Sequence, residues 1–567
     1  MRSVERVIRA LRDSFPRDVE EVIQVSPDKA IVYVRREALS DVVAYVHWEL
    51  GGRLSTVVGS DERRYRGWFV VYYVLSIDFA DEETPRAWVV VASRIPPEDP
   101  SYPSATPRVP AANWAEREIR DLLGLEPVGH PDPRRLVLPD DWPDGVYPLR
   151  EEFDYSTRPP SSPRPYPFAP EKIESEGTQL TELPVGPIHP TSDEPGQFRI
   201  YTDGDTVVDI DYRLFHIHRG IEKLGVSRMH YHQIPFLAER ICGICGFSHS
   251  CCYCQTVESA FGIDVPERAL YIRSIMLEIE RIHSHLLIVG LGCHLAAFDW
   301  GFMHLFRVRE RVMDLAEMLT GNRKTYGMNV VGGVRRDILE DRRAKALNIV
   351  RELRLSIKEV LDQLLSNRSV VDRMSNVGVL PPNVARALGV VGPTARGSGL
   401  RIDSRRDHPY AAYRDLPFEI VTESGGDVLS KHLVRLREVL VSLDMIEDAL
   451  ERLPKGPILA EKIDVAPGKR DWSVVEAPRG EVIHFVVTWY GGRILRWKVR
   501  APTYNNWPSV PYMCRGYTIT DLPLIITSID PCYSCTERVV IIDRRRGEKR
   551  VTTMKYLHHL SRKASLR

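Results

Sequence analysis

The chain has 567 residues, and its 77 Lys and Arg are matched by 77 Asp and Glu, a zero net charge that argues against nucleic acid as the main partner. Hydrophobic content of 43% and charged content of 27% belong to a globular protein, with length for roughly four domain-sized units and a large buried core. No apolar run approaches the ~18 residues of a membrane span, and Met1 to Arg6 carry no apolar signal segment, so membrane association is expected only through partners.

Residues 1–155 read as a mixed α/β unit. Val4, Val7, Ile8 and Leu11 share one face of a helix over residues 4–15. The β-branched and aromatic runs 30–34, 68–74 and 88–92 predict strands. A helix over 114–123 ends at Gly124. Residues 156–179 contain a Pro- and Ser-rich stretch, Arg158 to Pro167, which predicts an extended linker between two units. From residue 180 a second unit opens with a hairpin, 197–201 and 207–211 around Asp203-Gly204. Helical spacing then dominates over 268–291, 305–319, 342–365 and 427–453, which predicts an antiparallel bundle. Strand signals return at 482–487 and 494–499. The expected fold class is α+β and multidomain: an N-terminal α/β domain (1–155), a linker (156–179), and a helix-bundle domain with peripheral β-hairpins and strands (180–567).

Two Cys-x-x-Cys pairs lie far apart in the second unit: Cys242 with Cys245, and Cys532 with Cys535. Four thiolates make a soft site suited to nickel, zinc or iron. Zinc ribbons join their pairs across roughly 15–20 residues, whereas most of a domain separates these. Zinc and a redox metal both remain open on spacing alone. Disulfides fit less well, since nine cysteines is an odd number and no signal segment is present. Cys251, Cys252 and Cys254 read as small buried helix residues. Glu280 and His283, spaced i, i+3 without a matching second pair, read as polar contacts in the bundle.

The wording around the pairs goes further. Arg240-x-Cys242-Gly243-x-Cys245 with His249, and Asp530-Pro531-Cys532-x-x-Cys535, resemble the catalytic large subunit of nickel–iron hydrogenases. The resemblance extends to His218-Arg219-Gly220-Ile221-Glu222 and to Glu476-Ala477-Pro478-Arg479-Gly480. Residues 186–196 and Asp299-Trp300-Gly301-Phe302-Met303 are similar to the energy-converting, complex-I-like (group 4) branch, in particular the formate hydrogenlyase type. Residues 118–130 resemble the 30 kDa subunit of respiratory complex I, which implies a docking role for the first unit.

Hydrogen cleavage is heterolytic and needs a metal, a base for the proton and a path for electrons. The resemblance implies nickel held by Cys242, Cys245, Cys532 and Cys535, the first and third terminal. It implies that Cys245 and Cys535 are shared with an iron that carries cyanide and carbon monoxide. It implies Arg479 over the open metal position, Asp299 and Asp530 bracing that arginine, and Thr503 bonded to a cyanide. His249 is implied beside a bridging sulfur, and Glu194 as the proton acceptor. Where many hydrogenases end the second motif in histidine, this chain has Arg538. A guanidinium cannot ligate a metal, so a salt bridge with Glu222 is expected instead. The resemblance also implies removal of residues 539–567 by a maturation protease. Without further cysteines for a relay, no iron–sulfur cluster is expected in this chain. The implied partners are an iron–sulfur small subunit, a ferredoxin-like subunit, integral membrane ion-pump-like subunits and formate dehydrogenase, with formate or ferredoxin as electron source. The implied location is cytoplasmic, peripheral on the inner face of the cell membrane. The competing readings are a non-metal quinone-cavity or scaffold subunit of a complex-I-like dehydrogenase, and a zinc-stabilised binding protein.

Overall fold

A computed structural model describes residues 3–78, 86–160, 180–187, 195–216, 218–532, 541–543 and 548–550. Glu194, Cys535, Arg538 and most of the 156–179 linker lie outside the described residues, as does most of the 539–567 tail.

The N-terminal unit is a five-stranded sheet in the order Val19–Ser26, Lys29–Val34, Trp88–Ile95, Phe69–Ile77, Gly52–Asp61. Lys29–Val34 and Trp88–Ile95 run parallel, and the other neighbours are antiparallel. The apolar runs are strands buried on both faces, which is why their hydrophobicity is continuous and not alternating. Val32, Val34, Val71, Tyr73 and Val91 turn towards the helices Ser3–Ser14, Leu39–Trp48 and Asn113–Leu123. Ile31, Tyr33, Val70, Tyr72, Val74 and Trp88 turn to the opposite face. There they meet Trp472, Val474, Ile483, Phe485 and Val487 of a second sheet. That sheet is the meander Arg470–Ala477, Gly480–Thr488, Ile494–Arg500.

Ion pairs stitch this seam. Arg53 forks onto Glu481 at 3.1 and 2.6 Å and also bonds Asp78 at 2.8 Å. Lys29 reaches Asp471 at 2.7 Å, and Arg500 and Arg496 donate to the carbonyls of Ser55 and Gly59. Breaking one partner of such buried pairs costs about 3–5 kcal/mol, so the two units are locked in register.

The bundle is built on Glu267–Leu295, with Asp299–Thr320 and Val428–Glu451 packed against it and Glu340–Ser366 packed on those two. The central helix is buried all round for most of its length. It therefore lacks one apolar stripe and carries its polar residues inward. Asp427 caps the last helix by accepting from Ser430 N at 2.8 Å. The Gln197–Asp203 and Thr206–Arg213 hairpin gains a third strand, Thr181–Val185. Among the described residues no helix is long and apolar enough to cross a membrane.

Candidate metal centre

Three segments meet at the thiols. Ile241–Cys245 leads into the helix Gly246–Phe261, whose N-terminus is held by a carboxylate from the central bundle helix: Glu280 accepts from Phe247 N at 2.7 Å, Ser248 N at 2.9 Å and the Ser248 hydroxyl. Arg219 donates to the carbonyls of Arg240 and Ile241 at 2.9 and 2.8 Å, pinning the approach to Cys242. From the other end, the helix Leu522–Ser528 runs into Asp530, whose left-handed φ of 55° turns the chain towards Cys532. The two cysteines, 290 residues apart, meet with their sulfurs at 3.5 Å. Ile244 N and Cys245 N also point at the Cys242 sulfur, at 3.4 and 3.5 Å. Hydrogen bonds from the Cys245 and Cys532 thiols, with the Arg479 charge nearby, hold Cys242 well below the usual thiol range. As the donor to that thiolate, Cys245 is pushed up. Among the described residues no three ligating side chains close into a finished metal site.

Arg479 sits at the tip of the Arg470–Ala477/Gly480–Thr488 hairpin, in the two-residue loop between paired Ala477 and Gly480. A turn arginine would ordinarily face water, but this one is only 4% exposed. Its tip is pressed against Gly392: a Cβ on Gly392 would stand 2.3 Å from the Arg479 carbonyl oxygen, and one on Gly480 2.7 Å from Gly392 N. Only glycines permit that approach. Arg479 Nε donates to the Asp530 carbonyl at 2.9 Å, and Nη2 pairs with Asp530 Oδ1 at 2.8 Å. Its charge acts on Cys242, Cys532 and Cys245.

His249 is oriented by a relay. The Trp497 indole N–H, which can only donate, lies 3.2 Å from His484 Nδ1. His484 is fully buried and held neutral by that burial, so its proton is on Nε2. That N–H donates to His249 Nδ1 at 3.2 Å. Burial likewise lowers His249 to about 4. Its own proton is therefore on Nε2, a buried donor with no protein partner, in the field of the Cys242 thiolate.

Comparison with known proteins agrees with this geometry. The family model for nickel-dependent hydrogenases matches residues 219–353. Those for the 49 Kd and 30 Kd subunits of respiratory-chain NADH dehydrogenase match 298–474 with 465–538, and 32–159. Formate hydrogenlyase subunit 5 of Escherichia coli (strain K12) is 46% identical over 560 residues, covering 98% of this chain and 97% of that protein. The chain belongs to the catalytic large subunits of membrane-bound, complex-I-like nickel–iron hydrogenases. Hydrogenase-4 component G of the same organism is also 46% identical, over 97% of this chain and 96% of its own. A solved subunit of the membrane-bound sulfane sulfur reductase, an archaeal respiratory complex, aligns with TM-score 0.60 at 30% identity, over 63% of this chain and 98% of that one.

The surroundings of the thiols suit the nickel–iron site of such a hydrogenase. Arg479 Nη1, Asp530 Oδ2, Thr503 Oγ1 and His249 Nε2 are all buried without a protein partner. Thr503 lies on the helix Pro502–Asn506, whose Asn506 reaches the Arg479 carbonyl at 3.5 Å. Orphaned buried groups are costly unless something absent from the polypeptide satisfies them.

One expectation changes. Asp299 does not brace Arg479: it begins the Asp299–Thr320 helix on the surface, exposed, and bonds His294 Nδ1 at 2.7 Å. A carboxylate at a helix N-terminus already has favourable partners in water, and among the described residues Asp530 alone pairs with Arg479. Glu222 is engaged among the described residues, and its expected pair with Arg538 lies outside them. It accepts from Val499 N at 2.9 Å and Arg496 Nη1 at 2.6 Å, with Lys498 Nζ at 3.6 Å. Burial alone would raise its carboxyl, but the Lys498 and Arg496 charges outweigh that and lower it. Lys498 also bonds Glu118 of the N-terminal unit, so one ammonium serves two carboxylates across the seam. The strand alternation of Arg496 and Lys498 is the signal that offered this partner in the sequence. Cys251, Cys252 and Cys254 are buried, and burial raises all three thiols.

Proposed function

We propose that this hydrogenase subunit serves a formate-linked assembly in which protons are reduced to hydrogen. The observation that carries the reading is the meeting of Cys242 and Cys532 beside Arg479, in a chain 46% identical to a formate hydrogenlyase subunit over nearly its whole length. When bound, a nickel–iron group with cyanide and carbon monoxide on the iron supplies the two-electron chemistry. Cys242 and Cys532 would hold it as terminal ligands, and Cys245 and Cys535 as shared ones. Arg479, anchored by Asp530, keeps its buried Nη1 unpartnered near the thiols and would stand over the open metal position. In that dry pocket a fixed guanidinium acts far more strongly than in water. Thr503 and the His249 Nε2–H, both buried without a protein partner, would be donors for a cyanide and for a sulfur. Glu194 takes the proton from a terminal thiol.

With no cluster assigned to this chain, electrons arrive through an iron–sulfur small subunit and a ferredoxin-like subunit. The complex sits on the cytoplasmic face of the membrane through integral membrane subunits, with the N-terminal unit as docking domain. The segment after Arg538 is removed by a maturation protease once nickel is loaded, coupling closure of the Cys532–Cys535 segment to correct metallation. The test is nickel and iron analysis of the purified complex, with formate-dependent hydrogen production. Loss of nickel in Cys532→Ser is expected. Full metal content in that variant, or zinc in the wild type, overturns the reading. Intact-mass measurement of the nickel-loaded subunit, expected to end at Arg538, tests the cleavage.

A further inference from the structure

One carboxylate of the N-terminal helix Asn113–Leu123 reaches into the catalytic unit. Glu118, near the middle of that helix, is buried and uses both of its oxygens. Oε1 pairs with Lys498 Nζ. Oε2 accepts from the Tyr504 hydroxyl at 2.8 Å. The two partners lead to different parts of the metal centre. Tyr504 is the neighbour of Thr503 on the short helix Pro502–Asn506, and Thr503 Oγ1 is one of the buried groups without a protein partner. Lys498 leads to Glu222, whose Oε1 lies 3.6 Å from the ammonium. Arg496 Nη1 and Val499 N also hold that carboxylate, at 2.6 and 2.9 Å.

Glu222 lies in the first turn of the helix Ile221–Arg228, and Gly220, at a left-handed φ of 64°, turns the chain from Arg219 into it. Glycine takes that conformation without steric cost. Arg219 in turn donates to the carbonyls of Arg240 and Ile241, the two residues before Cys242, at 2.9 and 2.8 Å. A cavity of about 80 Å³ joins the same ground, lined by Glu118, Lys498, Glu222, Arg219 and Ile241 together. The Glu118 helix holds this turn a second way. Lys223 Nζ donates to the Arg150 carbonyl at 2.8 Å, and Arg150 Nε to the Leu123 carbonyl at 2.7 Å. The charges of the cluster balance, Glu118 and Glu222 against Lys498 and Arg496. Buried charges are weakly screened, and removing one leaves its partner uncompensated. Without Glu118 the ammonium has only Glu222 to turn to. Closing the 3.6 Å gap to bonding distance then moves the turn that carries Arg219.

We propose that Glu118 is a positioning residue for the metal centre. One oxygen fixes the segment that carries Cys242, through Lys498, Glu222 and Arg219. The other fixes the helix that carries Thr503, through Tyr504. Seating of the N-terminal unit thereby sets the geometry of a metal ligand and of a hydrogen-bond donor in the other unit, a part beyond docking. Glu118 acts through these neighbours and not on the reacting atoms. The proposal rests on the metal-centre reading above.

Glu118→Gln keeps the shape and removes the charge, and Glu118→Ala removes both contacts. Lys29→Met is the control: it cuts the Lys29–Asp471 pair of the same seam and touches neither branch. In the nickel-loaded complex, Glu118→Ala is expected to shift an infrared cyanide band and the nickel electron paramagnetic resonance signal, at unchanged nickel and iron content. Glu118→Gln is expected to shift the nickel signal, and Lys29→Met to leave both signals at their wild-type positions. In the nickel-free full-length chain the readout is amide hydrogen exchange over residues 240–246, where the N–H groups of Arg240, Ile241, Ile244 and Cys245 are all bonded. That exchange is expected to quicken about tenfold or more in both Glu118 variants and not in Lys29→Met. Wild-type spectra and exchange in both Glu118 variants overturn the proposal. So do equal changes in Lys29→Met, which mark a loosened seam. If the wild-type complex holds no nickel and shows no cyanide band, the metal-centre reading fails instead. The exchange of residues 240–246 then decides for or against Glu118 alone.

Discussion

Trp497→Phe tests the relay that aims the His249 proton. In the native protein the indole N–H obliges His484 to accept on Nδ1 and donate from Nε2, and His249 to carry its proton on Nε2. Removing the indole leaves His484 Nδ1 as a buried acceptor without a donor, a loss of about 1–3 kcal/mol. The opposite arrangement, with both rings protonated on Nδ1 and His249 donating to His484 Nε2, then loses its disadvantage. At about 1.4 kcal/mol per factor of ten, the native preference of roughly 5- to 150-fold falls to near parity. Smaller packing adds about 1–3 kcal/mol of destabilisation, since Trp497 is wholly buried against Tyr253 and Gly225. The assay is 15N NMR of ring-labelled histidine, with His249 assigned by difference from His249→Gln. Both rings are neutral at working pH because burial depresses them, so the shifts report tautomer and not charge. If His249 remains protonated on Nε2 in Trp497→Phe to the native extent, the relay does not set its tautomer and the reasoning is wrong.

Glu280 has its folded carboxyl raised by burial to about 7 from an ordinary 4.5. Its contribution to stability is therefore fully present below about 4.5 and is lost as pH rises through about 7, by roughly 3 kcal/mol for so buried a group. Denaturant titration of the metal-free chain should show this fall, and Glu280→Gln should abolish it; an unchanged slope in the variant would refute the assignment. Arg479→Lys should lower hydrogen turnover about 100-fold while nickel stays bound, because an ammonium cannot span both the Asp530 carbonyl and carboxylate. Wild-type turnover would remove Arg479 from the chemistry. Asp299→Asn, on the exposed helix start, should change stability by less than about 0.5 kcal/mol and leave turnover intact; a large loss would restore it to the site. Glu194→Gln should retain nickel and sharply reduce turnover, and unchanged turnover would return Glu194 to an exposed turn.

The long helices and the apolar strands were legible in the residues alone, because each rests on local periodicity repeated over many residues. The helix expected over 427–453 forms as Val428–Glu451, and that over 342–365 as Glu340–Ser366. The spacing of the cysteine pairs marked a soft metal site, since ligand chemistry is carried by residue type. What the turn at Pro478-Arg479 does depends on long-range packing. Its composition is that of any exposed turn, and its burial comes from Gly392, 87 residues earlier in the chain, meeting Gly480. The start of the helix Gly246–Phe261, of which only Cys251, Cys252 and Cys254 read as helical, was equally hidden, because its N-terminal N–H groups are satisfied by Glu280 on another helix and by no local cap. The partners of Glu222 and the surface position of Asp299 also depend on which segments meet. A charged side chain takes its role from whatever neighbours the fold supplies, and those neighbours are distant in sequence.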